Sequence, residues 1–233
     1  MPLAGSVGHN STMRWTEQPI HFLDFEGSLA SGILEYGVAK LVGGRIVETR
    51  TRRCRATGRV RPEDAAVHGL READLASAAP FAADWEYFTG LREGGPLAAH
   101  FAGVENALLK AVWPYPRTSP DFARPGERAT EWGPWIDTGP LCAQLLPRLP
   151  SVRLTDLVTA CGLQPELDLL AAKFCPADRR HYHAALYHAL AGARLLARLA
   201  LEPAVADQSV AWLLAMSTLN AEKRAALRQT DLF

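Results

Sequence analysis

The stretch PIHFLDFEGSLASG, from Pro19 to Gly32, sets two carboxylates, Asp24 and Glu26, into an apolar run. Side chains at positions i and i+2 of a β-strand point to the same face, so a strand here places both acids together. Two like charges this close favour a cation beside them, and Gly27 allows a ligand to approach the backbone closely. Taken alone, the pair also fits an exposed strand end with two solvated acids.

Composition narrows the classes of protein that this chain can represent. Of its 233 residues, 48% are hydrophobic, and 25 basic residues balance 25 acidic ones. A neutral total argues against bulk electrostatic capture of nucleic acid and leaves room for a local basic patch. The four cysteines are widely spaced, without a C-x-x-C pair or a signal peptide, which favours a reduced, cytoplasmic protein. No segment reaches the roughly 18 consecutive apolar residues of a membrane span, so we expect a soluble protein.

The order of apolar runs predicts one α/β domain with helices at its C-terminal end. Three antiparallel strands come first, the second and third joined at Gly43-Gly44, a dipeptide suited to a hairpin turn. Strands then alternate with helices, including GVENALLKAV (residues 103–112) and a long helix over residues 179–200 that opens with a histidine cluster. The predicted divisions are a loose lead-in (1–16), the main domain (17–200), C-terminal helices (201–228) and a short tail (229–233).

Four short motifs, taken in order, resemble one known family. They are FLDFEGS with Asp24 and Glu26, VHGL at residues 67–70, AAHFAGVENALL at 98–109, and HAALYHALAGARLL beginning at His183. The series is similar to the DEDDh, or DnaQ-like, family of 3′→5′ exonucleases, which includes the proofreading epsilon subunit of bacterial DNA polymerase. The resemblance implies a ribonuclease H-like fold, a mixed sheet flanked by helices.

The resemblance also implies a catalytic site with two departures from the family pattern. Asp24 and Glu26 would be catalytic and would hold two divalent cations, Mg²⁺ or Mn²⁺, while His183 would act as the base that takes a proton from water. The second-motif aspartate is replaced by Glu105, one methylene longer, and the last aspartate by His188. Both are expected as metal ligands. Because imidazole suits softer ions than Mg²⁺, His188 favours Mn²⁺.

Substrate contacts are expected near the motifs. The resemblance places Gly27, Ser28 and Leu29 at the terminal nucleotide and His100 at the family's substrate-contacting histidine, although Phe101 replaces the asparagine that follows it. An arginine stripe lies in RTRRCRATGRVR, where alternate positions would line one face for phosphate contact. An edge strand that uses cations to deter aggregation explains this stripe equally well. The stripe consists of Arg50, Arg52, Arg53, Arg55, Arg59 and Arg61.

The tail RQTDLF resembles the pentapeptide that binds the bacterial sliding clamp. Leu232 and Phe233 on a free terminus have no core to bury them, so a partner's pocket explains their presence. Gln229 and Asp231 complete the predicted partner-binding set. The alternative is that the tail folds back on its own domain.

Three functions remain open from the sequence. The first is a metal-dependent 3′→5′ exonuclease that acts on the 3′ end of single-stranded nucleic acid, DNA favoured, in DNA replication or repair. The second is an exonuclease fold that has lost catalysis and serves as a nucleic-acid or protein adaptor. The third is an RNA-trimming exonuclease.

Overall fold

The strand that carries Asp24 and Glu26 is the central strand of a five-stranded sheet. The structure is a computed structural model that describes residues 14–229, with side chains described as far as residue 225. Within this range the strands are β1 (Ile20–Ser28), β2 (Gly32–Val42), β3 (Arg45–Arg53), β4 (Leu97–Ala99), β5 (Ser119–Pro120), β6 (Arg128–Ala129) and β7 (Ile136–Asp137).

The main sheet is mixed and has the strand order β3-β2-β1-β4-β7. Strand β2 runs antiparallel to both β1 and β3, whereas β4 and β7 run in the same direction as β1. The predicted hairpin turn is present, since Gly43 and Gly44 both have positive φ angles, of 57° and 72°. Strands β5 and β6 form a separate two-stranded pair. The predicted α/β class with a mixed sheet is confirmed.

Helices cover both faces of the sheet. They are α1 (Pro62–His68), α2 (Glu72–Leu75), α3 (Trp85–Gly94), α4 (Gly103–Val112), α5 (Thr138–Leu145), α6 (Leu154–Ala160), α7 (Gln164–Phe174), α8 (Ala185–Leu199), α9 (Pro203–Ala206), α10 (Val210–Met216) and α11 (Ala221–Gln229). The helix predicted over residues 103–112 has these bounds in the structure. The long helix predicted from residue 179 begins only at Ala185, because His183 has a left-handed φ of 63° that a right-handed helix cannot contain.

Alternation along β1 divides the hydrophobic core into two parts. Ile20 and Phe22 belong to the cluster that contains α8, whereas Leu23 and Phe25 belong to the cluster on the opposite face. Asp24 and Glu26 lie two and four positions after Phe22 in the strand. Their side chains therefore point to the same face of the sheet as Phe22, the face covered by α8. This alternation decides which helix can reach the two acids.

The predicted lead-in, residues 1–16, is wrong at its C-terminal end. Trp15 is fully buried, begins a 3-10 helix (Trp15–Glu17) and donates its indole N–H to the carbonyl of Val205 at 2.7 Å. A large aromatic side chain that is fully buried and hydrogen-bonded belongs to the folded domain. Residues 1–13 lie outside the described part of the chain.

Across residues 14–229, no helix is long and apolar enough to cross a membrane.

Candidate active site

The two acids of β1 lie opposite β2 in a register that leaves room above Asp24. Asp24 pairs with Gly37, and Glu26 pairs with Glu35. A Cβ atom built at Gly37 would lie 2.3 Å from backbone atoms of Ala185 and Leu186 in α8. Because Gly37 has no side chain, the first turn of α8 can lie directly on the sheet beside Asp24. The glycine thus sets how closely the helix approaches the acids.

This close approach brings His188 to the carboxylates, one turn into α8. Its Nδ1 atom lies 3.5 Å from Oδ1 of Asp24 and 3.9 Å from Oε1 of Glu26. Asp24, Glu26 and His188 each offer a ligand atom, and these atoms lie within 4.8 Å of one another. The structure therefore brings together three of the four predicted metal ligands.

The other ring nitrogen of His188 is occupied. Nε2 accepts a hydrogen bond of 3.0 Å from the backbone N–H of His183. A neutral imidazole has one acceptor nitrogen, so this bond leaves the ring proton on Nδ1, facing the carboxylates. For Nδ1 to bind a cation, the proton must move to Nε2, and the His183 N–H must then turn away. Ligation by His188 is thus tied to the turn that carries His183.

The carboxylates of the cluster repel one another in a poorly solvated place. Burial raises the pKa of Asp24, and the charge of Glu35 raises it further. Burial and the charge of Asp24 raise the pKa of Glu26 to about 8. The Oδ2 atom of Asp24 is buried and has no hydrogen-bond partner within the described residues. A site that raises carboxylate pKa values in this way gains from any bound positive charge.

Glu105, the fourth predicted ligand, is buried on α4, outside the cluster of three. Burial raises its pKa, as do the charges of Asp24, Glu26 and Asp137, so these groups interact electrostatically. Its Oε2 atom is also buried without a hydrogen-bond partner in the part of the chain described. Glu105 is thus an unsatisfied acceptor beside the cluster.

A buried ion pair holds the turn that carries His183. Arg179 donates from Nε and Nη2 to the two carboxylate oxygens of Glu35, at 3.0 and 2.6 Å. The same guanidinium donates to the carbonyls of His68 and His183, and Glu35 accepts the backbone N–H of Ala185 at 3.0 Å. One pair of charges therefore joins the VHGL segment, the His183 turn and the start of α8.

His183 itself has an exposed side chain beside the cluster, with its ring centroid 5.4 Å from that of His188. Partial burial and the neighbouring His188 and His181 lower its pKa. A lowered pKa leaves the ring neutral at neutral pH, the state in which histidine can accept a proton.

The residues predicted to contact substrate differ in whether their side chains are already engaged within the protein. Both ring nitrogens of His100 are engaged, Nδ1 with Thr138 Oγ1 at 2.9 Å and Nε2 with the Val152 carbonyl at 2.8 Å. Neither nitrogen is free for a nucleotide, so His100 is better explained as an anchor for the loop at Val152. The hydroxyl of Ser28 lies 3.2 Å from that of Ser31, within the same turn. Leu29 is 71% exposed and remains accessible to a substrate.

Position 27 needs a glycine for a structural reason that the sequence prediction missed. Its φ is 137°, and a Cβ atom there would lie 2.2 Å from the carbonyl oxygen of Gly32. The register of β1 and β2 also shifts between Glu26 and Gly27. The bulge between the two strands therefore requires the glycine, independently of any ligand.

The arginine stripe is largely neutralised within the protein. Arg50 and Arg52 both pair with Asp84, at 3.0 and 2.6 Å. Arg53 pairs with Asp178 and Arg61 with Asp64. These contacts favour the structural explanation of the stripe over the phosphate-binding one.

No protein-family model matches the sequence, and no curated protein matches it significantly. Exonuclease X in complex with 5′-overhanging duplex DNA matches the structure with a TM-score of 0.61 at 20% identity, over 85% of this chain and 99% of that chain. The nuclease domain of 3′hExo, a DEDDh family member bound to rAMP, matches with a TM-score of 0.56 at 15% identity, over 82% and 96% of the two chains.

The chain has the fold of the DEDDh 3′-exonucleases. Exonuclease I from Methylocaldum szegediense extends the comparison, with a TM-score of 0.59 at 15% identity over 82% of this chain and 42% of that one. The predicted ribonuclease H-like exonuclease fold is therefore confirmed.

Within this exonuclease fold, the donor set fits a divalent cation. Two carboxylates and an imidazole converge, and two buried carboxylate oxygens, on Asp24 and Glu105, lack any other partner among the described residues. Asp24, Glu26 and Glu105 would hold the cation through hard oxygen ligands, with His188 as a nitrogen ligand.

Sequence reasoning missed three residues that shape this site, namely Glu35, Arg179 and Asp137. Glu35 and Arg179 are 144 residues apart in the chain, so no local pattern links them. The signal for Glu35 was nevertheless present, because a carboxylate in the middle of the apolar run GILEYGVA needs a buried partner. Asp137 is the last residue of β7, where an aspartate can cap the next helix.

Proposed function

We propose that this chain is a metal-dependent 3′→5′ exonuclease that acts on single-stranded nucleic acid, with DNA favoured, in DNA replication or repair. The observation that carries the proposal is the convergence of Asp24, Glu26 and His188 within an exonuclease fold. Among proteins of this fold, Exonuclease X is described with duplex DNA, ExoI of E. coli with single-stranded DNA, and 3′hExo with rAMP. The test of the proposal therefore uses both DNA and RNA as substrates.

The chain's own residues have distinct roles in this proposal. Asp24, Glu26 and Glu105 would hold the cations, and His183, whose pKa is lowered by burial and by its histidine neighbours, would accept a proton from the attacking water. Bound divalent cations would offset the negative charge that develops on the scissile phosphate and on the leaving 3′-oxygen. The imidazole of His188 favours Mn²⁺ over Mg²⁺.

The test is cleavage of 5′-labelled single-stranded DNA and RNA, first in Mg²⁺ and then in Mn²⁺. We expect a ladder with the natural chain and none with Asp24→Asn, because the amide removes the charge that attracts the cation. The free energy of unfolding should stay the same or rise, since the buried carboxylate lacks a partner for Oδ2.

The matched control is Asp74→Asn, the same change at a surface acid paired only with the exposed Arg71. It should keep full activity. Wild-type turnover by Asp24→Asn would falsify the proposed site. No ladder from the natural chain in either metal, with nucleic-acid binding retained, would support the adaptor function instead.

The proposal includes two further features of the protein. The cytoplasm is the proposed location, since all four cysteines are free and a reducing compartment keeps them so. The tail residues Gln229, Asp231, Leu232 and Phe233 are proposed to bind a bacterial sliding clamp. Gln229 is the last residue of α11, and residues 230–233 lie outside the described part of the chain.

A further inference from the structure

Phe101, between β4 and α4, has an unusual backbone conformation. Its φ is 59°, and within residues 14–229 the one other non-glycine residue with positive φ is His183. A bulky residue in this region is strained, and such residues persist only where the surrounding structure over-determines them, most often at functional sites. Its aromatic side chain is nevertheless 46% exposed. The backbone of Phe101 is thus strained, although burial of its ring does not account for the strain.

Asp137 fixes the backbone at this point. Its carboxylate accepts the N–H groups of Phe101 at 2.8 Å, Ala102 at 3.0 Å and Gly139 at 3.0 Å. These three bonds hold the turn after β4 against the start of α5. Asp137 is therefore a positioning residue for Phe101.

Two neighbours fix the ring. A Cβ atom at Gly139 would lie 2.6 Å from Cε1 of Phe101, so the ring rests against the glycine backbone. The ring of His100 meets it edge-on, with centroids 4.6 Å apart and planes at 69°. His100 is itself held by two hydrogen bonds, and the ring orientation is thereby defined before any ligand arrives.

Strand pairing places the backbone of Phe101 near the acid cluster. Strand β4 runs parallel to β1, with Ala98 paired to Phe22. Phe101 therefore leaves the sheet at the carboxyl end of β4, next to the part of β1 that carries Asp24. Glu105, a proposed ligand of the cation, follows on the first turn of α4, four residues after Phe101. A nucleotide whose phosphate lay at the acids could reach this ring with its base.

We propose that Phe101 is a stacking platform for the base of the 3′-terminal nucleotide. The proposal rests on the proposed function, because it needs nucleic acid at the acid cluster. Every base has a π-face, so a single aromatic ring binds bases without selecting among them. Arg50, Arg52 and Arg53 of the arginine stripe are paired with acids of the chain, so stacking can add affinity that these three side chains do not supply through phosphate contact.

The test measures binding of a single-stranded oligonucleotide whose 3′-terminal base is fluorescent 2-aminopurine. Proteins carry Asp24→Asn so that the end is not removed. The variant Phe101→Asn removes the ring, and asparagine tolerates positive φ, so the protein should fold at least as stably. We expect about 10-fold weaker binding, the scale of one base stacked on one aromatic ring, and loss of the fluorescence quenching.

Three matched measurements sharpen the result. Phe101→Tyr keeps an aromatic ring and should preserve both affinity and quenching. Leu169→Ala, at an exposed leucine of α7, should change neither. An oligonucleotide with an abasic 3′ end should bind equally well to the protein that keeps Phe101 and to the Phe101→Asn variant, because it has no terminal base to stack.

Two outcomes separate this inference from the proposed function. If Phe101→Asn binds the labelled end as tightly and quenches it as strongly as the protein that keeps Phe101, the stacking proposal is overturned and the exonuclease proposal stands. If neither the natural chain nor the Asp24→Asn protein binds DNA or RNA, the proposed function fails, and the stacking proposal fails with it.

Discussion

Arg179 and Glu35 show how a single buried pair can position a reactive side chain. The guanidinium bonds the Glu35 carboxylate and the carbonyl of His183, and Glu35 bonds the first backbone N–H of α8. Both side chains are almost fully buried. The pair therefore acts on the proposed base through the backbone, without touching the reacting atoms.

Replacing Arg179 with methionine should destabilise the fold and displace His183. The change leaves the buried Glu35 carboxylate with only the partly exposed Arg53, 3.9 Å away, as a cation among the described residues, so the free energy of unfolding should fall by up to about 3–5 kcal/mol. The double variant Glu35→Gln/Arg179→Met removes both charges and should recover part of that stability, measured by denaturant titration. Activity should remain low in both variants, since neither restores the bond to the His183 carbonyl. Full activity in the double variant would show that the pair is structural alone.

We expect His188 to set the metal preference of the proposed site. His188→Asp supplies an oxygen ligand and removes the ring whose Nε2 accepts the His183 N–H. We expect preference to shift from Mn²⁺ toward Mg²⁺ and Mg²⁺-supported cleavage to rise, because Mg²⁺ prefers oxygen ligands. Rates measured across a Mn²⁺ and a Mg²⁺ titration test this. Identical metal profiles for the two proteins would place His188 outside the coordination shell.

The contact between helix α8 and the sheet at Gly37 sets how closely α8 approaches the two acids of β1. Helix α8 also passes Phe22 at Gly192, where a Cβ atom would lie 2.2 Å from the ring. Two glycines, one in the sheet and one in the helix, thus allow the close contact. The neighbour at Gly37 is backbone, which cannot move aside as a flexible side chain can.

Gly37→Ala should therefore push α8 away from β2. Overpacking of this kind typically costs about 1–3 kcal/mol, and the displacement of His188 should also weaken Mn²⁺ binding. Denaturant titration and calorimetry with Mn²⁺ measure the two effects. Gly90→Ala is the control, because among the described residues no atom outside the backbone of α3 lies within 4 Å of its Cβ position. That change should stabilise the protein by up to about 1 kcal/mol. Equal stability of the two variants would contradict the argument.

Particular elements show how much the sequence could predict. The shared face of Asp24 and Glu26 follows from strand periodicity alone, and α4 follows from its helical spacing. The start of α8 was predicted too early, because local propensity does not reveal the left-handed turn at His183. The ion pair of Glu35 with Arg179 and the hydrogen bond from the Phe101 N–H to the Asp137 carboxylate join segments that are distant in the chain. They therefore become visible only in three dimensions.

The C-terminal helices α9 and α10 pack into the hydrophobic core of the main domain. Val205, on α9, and Leu213 and Leu214, on α10, share the cluster that contains α8, and Gln144 donates to the carbonyls of Met216 and Thr218. Helix α11 then leads to the tail. Gln229, the first of the proposed clamp-binding residues, therefore ends a helix that continues from the main domain, and the other three come after it.

Alanine at both Leu232 and Phe233 should abolish binding to a sliding clamp. A five-residue anchor buries little surface and loses entropy on ordering, so the natural chain should bind with a Kd of about 1 μM. Cleavage of short oligonucleotides should be unchanged, because no clamp takes part. Calorimetry against a purified clamp measures the difference. Equal heats from both proteins, or none from the natural chain, would favour a tail that folds back.

The ion pairs of the arginine stripe have a consequence for counterion release. Each phosphate neutralised by a protein cation lowers log K by about 0.7 per unit of log salt concentration for single strands. Arg50, Arg52, Arg53 and Arg61 are already neutralised by acids of the same chain. Binding would thus displace few condensed ions at these four arginines, and their share of the salt dependence of affinity should be small. Arginines that add so little to the salt response also add little to long-range capture of a strand, and a partner that delivers the 3′ end would compensate for this.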